Sequence, residues 1–290
     1  MITEEVVWKE IWPVVEEAIS ATLAENEVAL RRCLLPRRQA AETLELWGVA
    51  VFDILFKTVL GRGRLALTRA VETENGKYVH IELVWPDPEL AANNYTAADV
   101  VAVKLRQYRQ RWRIVEINPA SVDLPLTEAR AAGILVSSKV LSGSGGVPNE
   151  PWVLPVALFG GALQIPLRPE AMQDAVERLL LPGLQHRTYG LLSLVAGRRL
   201  WRDFKKKASH PPSMSQPAVW AACVEFIISE QTMRDQTPAA VGQFYHVPLS
   251  AMLPRLRQIK ETLQIAGLDE RYSAMASTQI VLKDHPNSPE

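Results

Sequence analysis

The 290-residue chain predicts an α+β fold, with N-terminal helices packed on an antiparallel sheet, followed by an all-α C-terminal domain. Three observations predict it. Between Val7 and Gly61 apolar residues recur at helical spacing, between Leu65 and Ile114 they alternate with polar ones, and from Pro169 onward the helical period returns. Helices that precede a meander exclude a parallel doubly wound sheet, which needs strands and helices in alternation.

Thr3 caps a first helix whose opening turn carries Glu4 and Glu5 against the positive end of its dipole. Val7, Trp8, Ile11, Val14, Val15, Ile19 and Leu23 continue it as one long helix, kinked at Pro13. A second run follows Pro36 and leads to Trp47. Val51, Leu55 and Val59 predict a third, ending at Gly61. The period then changes to two over Leu65–Val71, Val79–Trp85, Val101–Leu105 and Trp112–Ile114, which marks strands with one buried face. Asn75-Gly76 turns the first pair and Arg109-Gln110 the last.

Composition describes an ordinary globular chain, 48% hydrophobic and 22% charged, with room for roughly two domains. Lys+Arg and Asp+Glu both number 32, so the chain as a whole has no electrostatic claim on nucleic acid or membrane. Cys33 and Cys223 are too few for a disulfide framework. The acidic start MITEEVVWKE is not a secretory signal, and the most apolar stretch, Val153 to Leu167, is broken by Pro155 and Pro166. The expectation is a cytoplasmic protein with no membrane span. No HExxH and no Cys/His cluster is present, so neither a metal nor a cofactor is expected.

Together, FDILFKTVLGRGRLALTRAVETENGKYVHIELVW and DVVAVKLRQYRQRWRIVEINPA, preceded by helices, resemble the nuclear-transport-factor-like (SnoaL-like) cone fold. The strand pair with Trp112, Ile114 and Asn118-Pro119 carries most of the likeness, which spans Met1 to Ala120. That superfamily includes isomerases, dehydratases, binding modules and dimerisation domains, so the resemblance selects no activity. With Val79, Ile81, Leu83 and Trp85 toward the helices, Tyr78, His80, Glu82, Lys104 and Arg106 face the other way. The ionisable groups then avoid the enclosed side. His80, Glu82, Lys104 and Arg106 can form a cross-strand ladder or a homodimer surface. Asp53, in the apolar run VAVFDILF, is the candidate general base for an isomerase- or dehydratase-like reaction, with Tyr95 and Asp99 as candidate assistants. A solvent-facing Asp on an amphipathic helix is the alternative, since burying an unpaired carboxylate is costly.

The domain boundaries expected are 1–124 for the cone-like domain, 125–168 for a linker, 169–268 for the helical domain and 269–290 for a tail. The run from Ser142 to Gly146 lacks the Lys and following helix of a phosphate loop, and Val147-Pro148 comes next instead. From Pro169, EAMQDAVERLLL predicts a helix stopped by Pro182-Gly183, and YGLLSLVAGRRLWRDFKKK a second. Arg198, Arg199, Arg202, Lys205, Lys206 and Lys207 make its end the densest cationic run of the chain, fit either to grip phosphates or to complement the helix dipole. After HPPSMSQP, AVWAACVEFIIS is apolar on nearly every side, the mark of a central helix.

TPAAVGQFYHVPLSAMLPRLRQI, from Thr237 to Ile259, has helix-turn-helix spacing. It resembles the corresponding part of cyclin-box repeats and of small bacterial regulators. The resemblance implies that Thr237 caps the first helix, Gly242 lies at the crossing, His246-Val247-Pro248 makes the turn and Arg255 projects from the second helix. Met252, Leu256 and Ile259 would line its buried side. His246 replaces the turn glycine and would be strained at positive φ. Leu249, Ser250, Leu253 and Pro254 offer no bidentate donor to a base edge. Arg255, Arg257 and Lys260 can still touch phosphates.

Three functions fit this sequence. The first is a non-enzymatic bacterial regulatory or adaptor protein, with a cone domain for dimerisation or for a small apolar ligand and a helical domain that contacts DNA or a protein partner. The second is an enzyme using the cone pocket. The third is a protein-interaction module only.

Overall fold

The structure, a computed structural model, describes residues 3–52, 64–73, 78–84, 100–119, 140–142, 165–232, 234–269 and 271–272. It combines helices with an antiparallel sheet and divides into two compact units, Met1–Phe159 with Thr278–Glu290, and Gly160–Ser277.

In the first unit the opening helix is not one smooth rod. Helix α1 (Glu4–Val6) passes into a π-helical turn, Val7–Ile11, before α2 (Trp12–Leu23). Pro13 lies in the first turn of α2, where it has no N–H to return to the preceding turn. The wider π turn, closed by Trp12 N–H to the Val7 carbonyl, accommodates that missing donor. Helix α3 (Glu27–Cys33) was not anticipated, although Asn26 signals it by accepting from Ala29 N at 3.0 Å. Helix α4 (Gln39–Trp47) is the second run the sequence predicts, and Gly48 ends it at φ 71°. Of the third run, Val51 and Phe52 are described and buried, and residues 53–61 lie outside the described residues.

The strands are β1 (Arg64–Thr73), β2 (Tyr78–Val84), β3 (Val100–Tyr108), β4 (Arg111–Pro119) and β5 (Val140–Ser142). They pair antiparallel in the order β4-β3-β2-β1-β5. Arg109 and Gln110, at φ 50° and 63°, form the expected two-residue turn. Asn75-Gly76 lies outside the described residues. Strand β5 pairs with the start of β1 from within the segment expected to be linker.

A register shift between Lys104 and Leu105 gives β4 one extra residue, Val115, so that Ile114, Val115 and Ile117 are all buried. The outer edge of β4 is closed by the chain itself. Leu35 N donates to the Ile114 carbonyl at 2.7 Å, and the Gln39 amide both accepts from Ile117 N and donates to its carbonyl. That side chain satisfies an edge that would otherwise invite another strand.

Among the described residues, two charged side chains of this unit are buried. Lys104 is only 7% exposed, between His80 and Glu116 in the register, and Glu42 on α4 is 4% exposed.

Among the described residues the second unit has five α-helices: α5 (Ala175–His186), α6 (Leu191–Lys207), α7 (Pro217–Gln231), α8 (Pro238–Phe244) and α9 (Leu249–Leu263). As its all-round apolar surface predicts, α7 is central and packs against each of the other four. Helix α5 does not begin at Pro169, which opens a separate 3-10 turn. Asp174 starts it, accepting from Val176 N and Glu177 N at 3.0 and 2.9 Å. Nor does Pro182-Gly183 stop it. Pro182 is exposed within the helix, and Gly183 is needed for close approach, since a Cβ there would come within 2.4 Å of the Tyr245 hydroxyl.

The expected tail boundary also falls short of the packed structure. Gln231 donates to the Gly267 carbonyl and accepts from Asp269 N, while Tyr272, 1% exposed, donates to Asp203 Oδ2 at 3.0 Å.

Candidate functional site

The geometry at α8 and α9 follows from a few residues. Thr237 Oγ1 accepts from Ala240 N at 3.2 Å and starts α8. At Gly242 a Cβ would meet Met252 Sδ and the Val247 carbonyl, each at 2.9 Å, so only glycine lets the two helices cross there. His246 takes the turn at φ 54°, the strained position its sequence context predicts. Met252, Leu256 and Ile259 are buried, as expected. Pro254 sits inside α9 and frees the Ser250 carbonyl, but both residues are exposed, so water can reach that group.

Most of the expected cations serve internal contacts. Arg198 is 1% exposed and donates from Nη2 to the Ala171 carbonyl at 2.9 Å. Its Nε lies 3.6 Å from Glu177, and Arg202 Nε donates to the same carboxylate at 2.8 Å. Lys205 pairs with Asp174 and lies 5.5 Å from the centre of the Trp201 ring. Arg199 donates to the Arg271 carbonyl at 3.3 Å. Only Lys206 and Lys207 of this run are exposed. The acids that draw Arg202 and Lys205 inward stand at the start of α5, 25 and 31 residues away, where sequence spacing gives no warning.

On α9, Arg255 donates to the Ala251 carbonyl and to Gln216, and its guanidinium lies 5.3 Å from the centre of the Trp220 ring. Lys260 pairs with Glu230 at 2.8 Å. Arg257 is exposed and has no partner among the described residues. Trp220 also packs against Trp201 and Phe204 at 5.9 and 5.4 Å, so Arg255 and Lys205 flank one aromatic cluster. The outer stripe of α9 then consists of Leu249, 40% exposed, Leu253, 51% exposed, and Arg257, spaced four residues apart.

Sequence reasoning missed the buried acid of α7. Glu225 is fully buried, accepts from the Tyr245 hydroxyl at 2.7 Å and lies 3.1 Å from Arg187 Nε. Arg234 stacks over Tyr189 at 4.0 Å and donates to the Arg187 carbonyl. Burial raises the Glu225 carboxyl, although Tyr245, Arg187, Tyr189 and Arg234 all oppose the rise. Burial likewise pushes Tyr189 up to about 12. The one signal for this cluster was a lone Glu within AVWAACVEFIIS. Closed from solvent, it locks the ends of α5 and α8 to α7.

Asp53, Tyr95 and Asp99 lie outside the described residues, and of His80 only the backbone on β2 is described. Among the described residues no group of three or more His, Cys, Asp or Glu is placed to hold a metal. Cys33 and Cys223 are buried, which raises both thiols to about 12 and leaves neither a ready nucleophile. No described helix is long and apolar enough to cross a membrane. No protein-family model matches the chain, and neither does any curated protein or solved structure.

Proposed function

We propose that the chain is a non-enzymatic adaptor whose helical unit, helix-turn-helix-like in its last two helices, docks a protein partner through the outer face of α9. The observation that carries this reading is the contrast on α9 itself. Its outward stripe begins with two exposed leucines, while Arg255 and Lys260 are tied to Gln216, Trp220 and Glu230. A helix that reads DNA needs free donors along that stripe, and exposed leucines suit a protein surface better. The cone-like unit then serves dimerisation or ligand binding, as its resemblance implies.

Fluorescence anisotropy with a mixed-sequence duplex, at low and near-physiological salt, tests the reading. The expected result is no saturable binding at near-physiological salt. A benzophenone side chain at Leu253 should crosslink to protein, and Leu249→Asp should reduce that capture. Salt-sensitive duplex binding lost in an Arg255→Ala, Arg257→Ala variant would overturn the proposal in favour of a nucleic-acid role.

A further inference from the structure

Resting on that docking reading, we infer that the segment received by α9 is acidic as well as apolar. Leu249, Leu253 and Arg257 succeed one another at four-residue intervals and so form one continuous stripe. Two exposed leucines ask for apolar side chains from the partner. The charged side chain that continues the stripe beside them is Arg257, one turn beyond Leu253. Arg257 has no internal partner among the described residues, unlike Arg255 and Lys260, so its charge is available to another molecule. Pro248 precedes α9 without a side-chain cap, which leaves the positive end of the helix dipole beside Leu249.

The stripe has a polarity. Glu261, one turn beyond Arg257, is exposed and reverses the sign there. A docked segment therefore sets a carboxylate over Arg257 and its leucine-like side chains over Leu249 and Leu253, and it avoids an acid over Glu261. Phosphates of a nucleic acid would meet the same charge, but they would have to lose water against two leucines that return no hydrogen bond. Acidic peptide chemistry satisfies both parts of the stripe.

The test is selection of a displayed library of random 16-residue peptides on the full chain, with elution restricted to peptides that do not bind Leu253→Asp. Selected peptides should be enriched in Asp and Glu beside apolar residues at helical spacing. Arg257→Glu should weaken them about five- to tenfold. Glu261→Lys should strengthen them. Melting temperatures measured beside the binding should be unchanged, because all three side chains are exposed. Peptides that depend on Leu253 but are neutral or basic would overturn this inference and leave the docking reading standing. Failure to recover any peptide dependent on Leu253, together with binding of the duplex, would remove both.

Discussion

His246 shows how much a single backbone angle can cost. Its φ of 54° places a β-carbon in the left-handed region, at an exposed turn where the side chain makes no hydrogen bond or ion pair among the described residues. His246→Gly should therefore raise stability by about 0.5 to 1 kcal/mol in urea denaturation, the relief of strain exceeding the extra entropy of glycine in the unfolded chain. A neutral or lower midpoint would mean that the histidine ring makes a contact worth keeping.

Glu225 makes a second residue-scale case, with its sign fixed by burial. Its carboxyl is raised in the folded chain, so the folded state binds a proton that the unfolded state has already released. The stability this contributes is fully present below the ordinary carboxylate pKa and is lost as pH rises through the folded value. Glu225→Gln removes that titration. The gap in unfolding midpoint between the natural chain and the variant should narrow as pH rises above the ordinary carboxylate range, because only the natural chain gives up the stability of that bound proton. A gap that widens with rising pH would show that Arg187 and Arg234 outweigh burial. Cys223, two residues away on the same helix, should stay inert to a disulfide reagent at pH 8 until denaturant is added, since its thiol stands near 12.

At the scale of elements, the start of α5 gathers several bonds on one carboxylate. Asp174 caps two backbone N–H groups and also accepts from Trp201 Nε1 and Lys205 Nζ. Burial pushes its carboxyl up, but these bonds outweigh burial and the net direction is down. Asp174→Ala should cost about 2 to 3 kcal/mol, more than a simple cap, because it leaves Lys205 and the Trp201 indole without their acceptor. Here the sign is opposite to that of Glu225. The stability from Asp174 is present above the ordinary carboxylate pKa and is lost as pH falls, so the penalty of the substitution should shrink toward pH 3. The element was only partly legible beforehand. Its helical period was plain, but Pro169 and Pro182 suggested the wrong ends, because a capping aspartate and a close-packed glycine override what proline alone implies.

For the whole molecule, local chemistry was easier to anticipate than long-range pairing. The turn at Arg109-Gln110, the cap at Thr237, the crossing at Gly242 and the central burial of α7 all depend on neighbours close in sequence or on a repeating pattern. The inward capture of Arg198, Arg202 and Lys205, the closure of β4 by Gln39, and the Glu225 cluster depend on partners brought together only by folding. The end of the helical unit belongs to that second class. The sequence puts its boundary at residue 268, yet Gln231 of α7 bonds to Gly267 and Asp269, and Tyr272 is buried against Asp203 of α6. Residues beyond the boundary thus tie the last helix back to the middle of the bundle. A chain ending at Leu268 loses the Tyr272 ring, its hydrogen bond and the Arg271 guanidinium that donates to the Leu263 carbonyl at the end of α9. Compared with a chain ending at Tyr272, it should be less stable by on the order of 3 kcal/mol, the cost of removing one buried aromatic with its bonds. Thermal unfolding followed by tryptophan fluorescence reads the difference directly, because Trp201 and Trp220 lie in the same unit. Equal midpoints for the two chains would show that the segment merely rests on the bundle, and would return the boundary to residue 268.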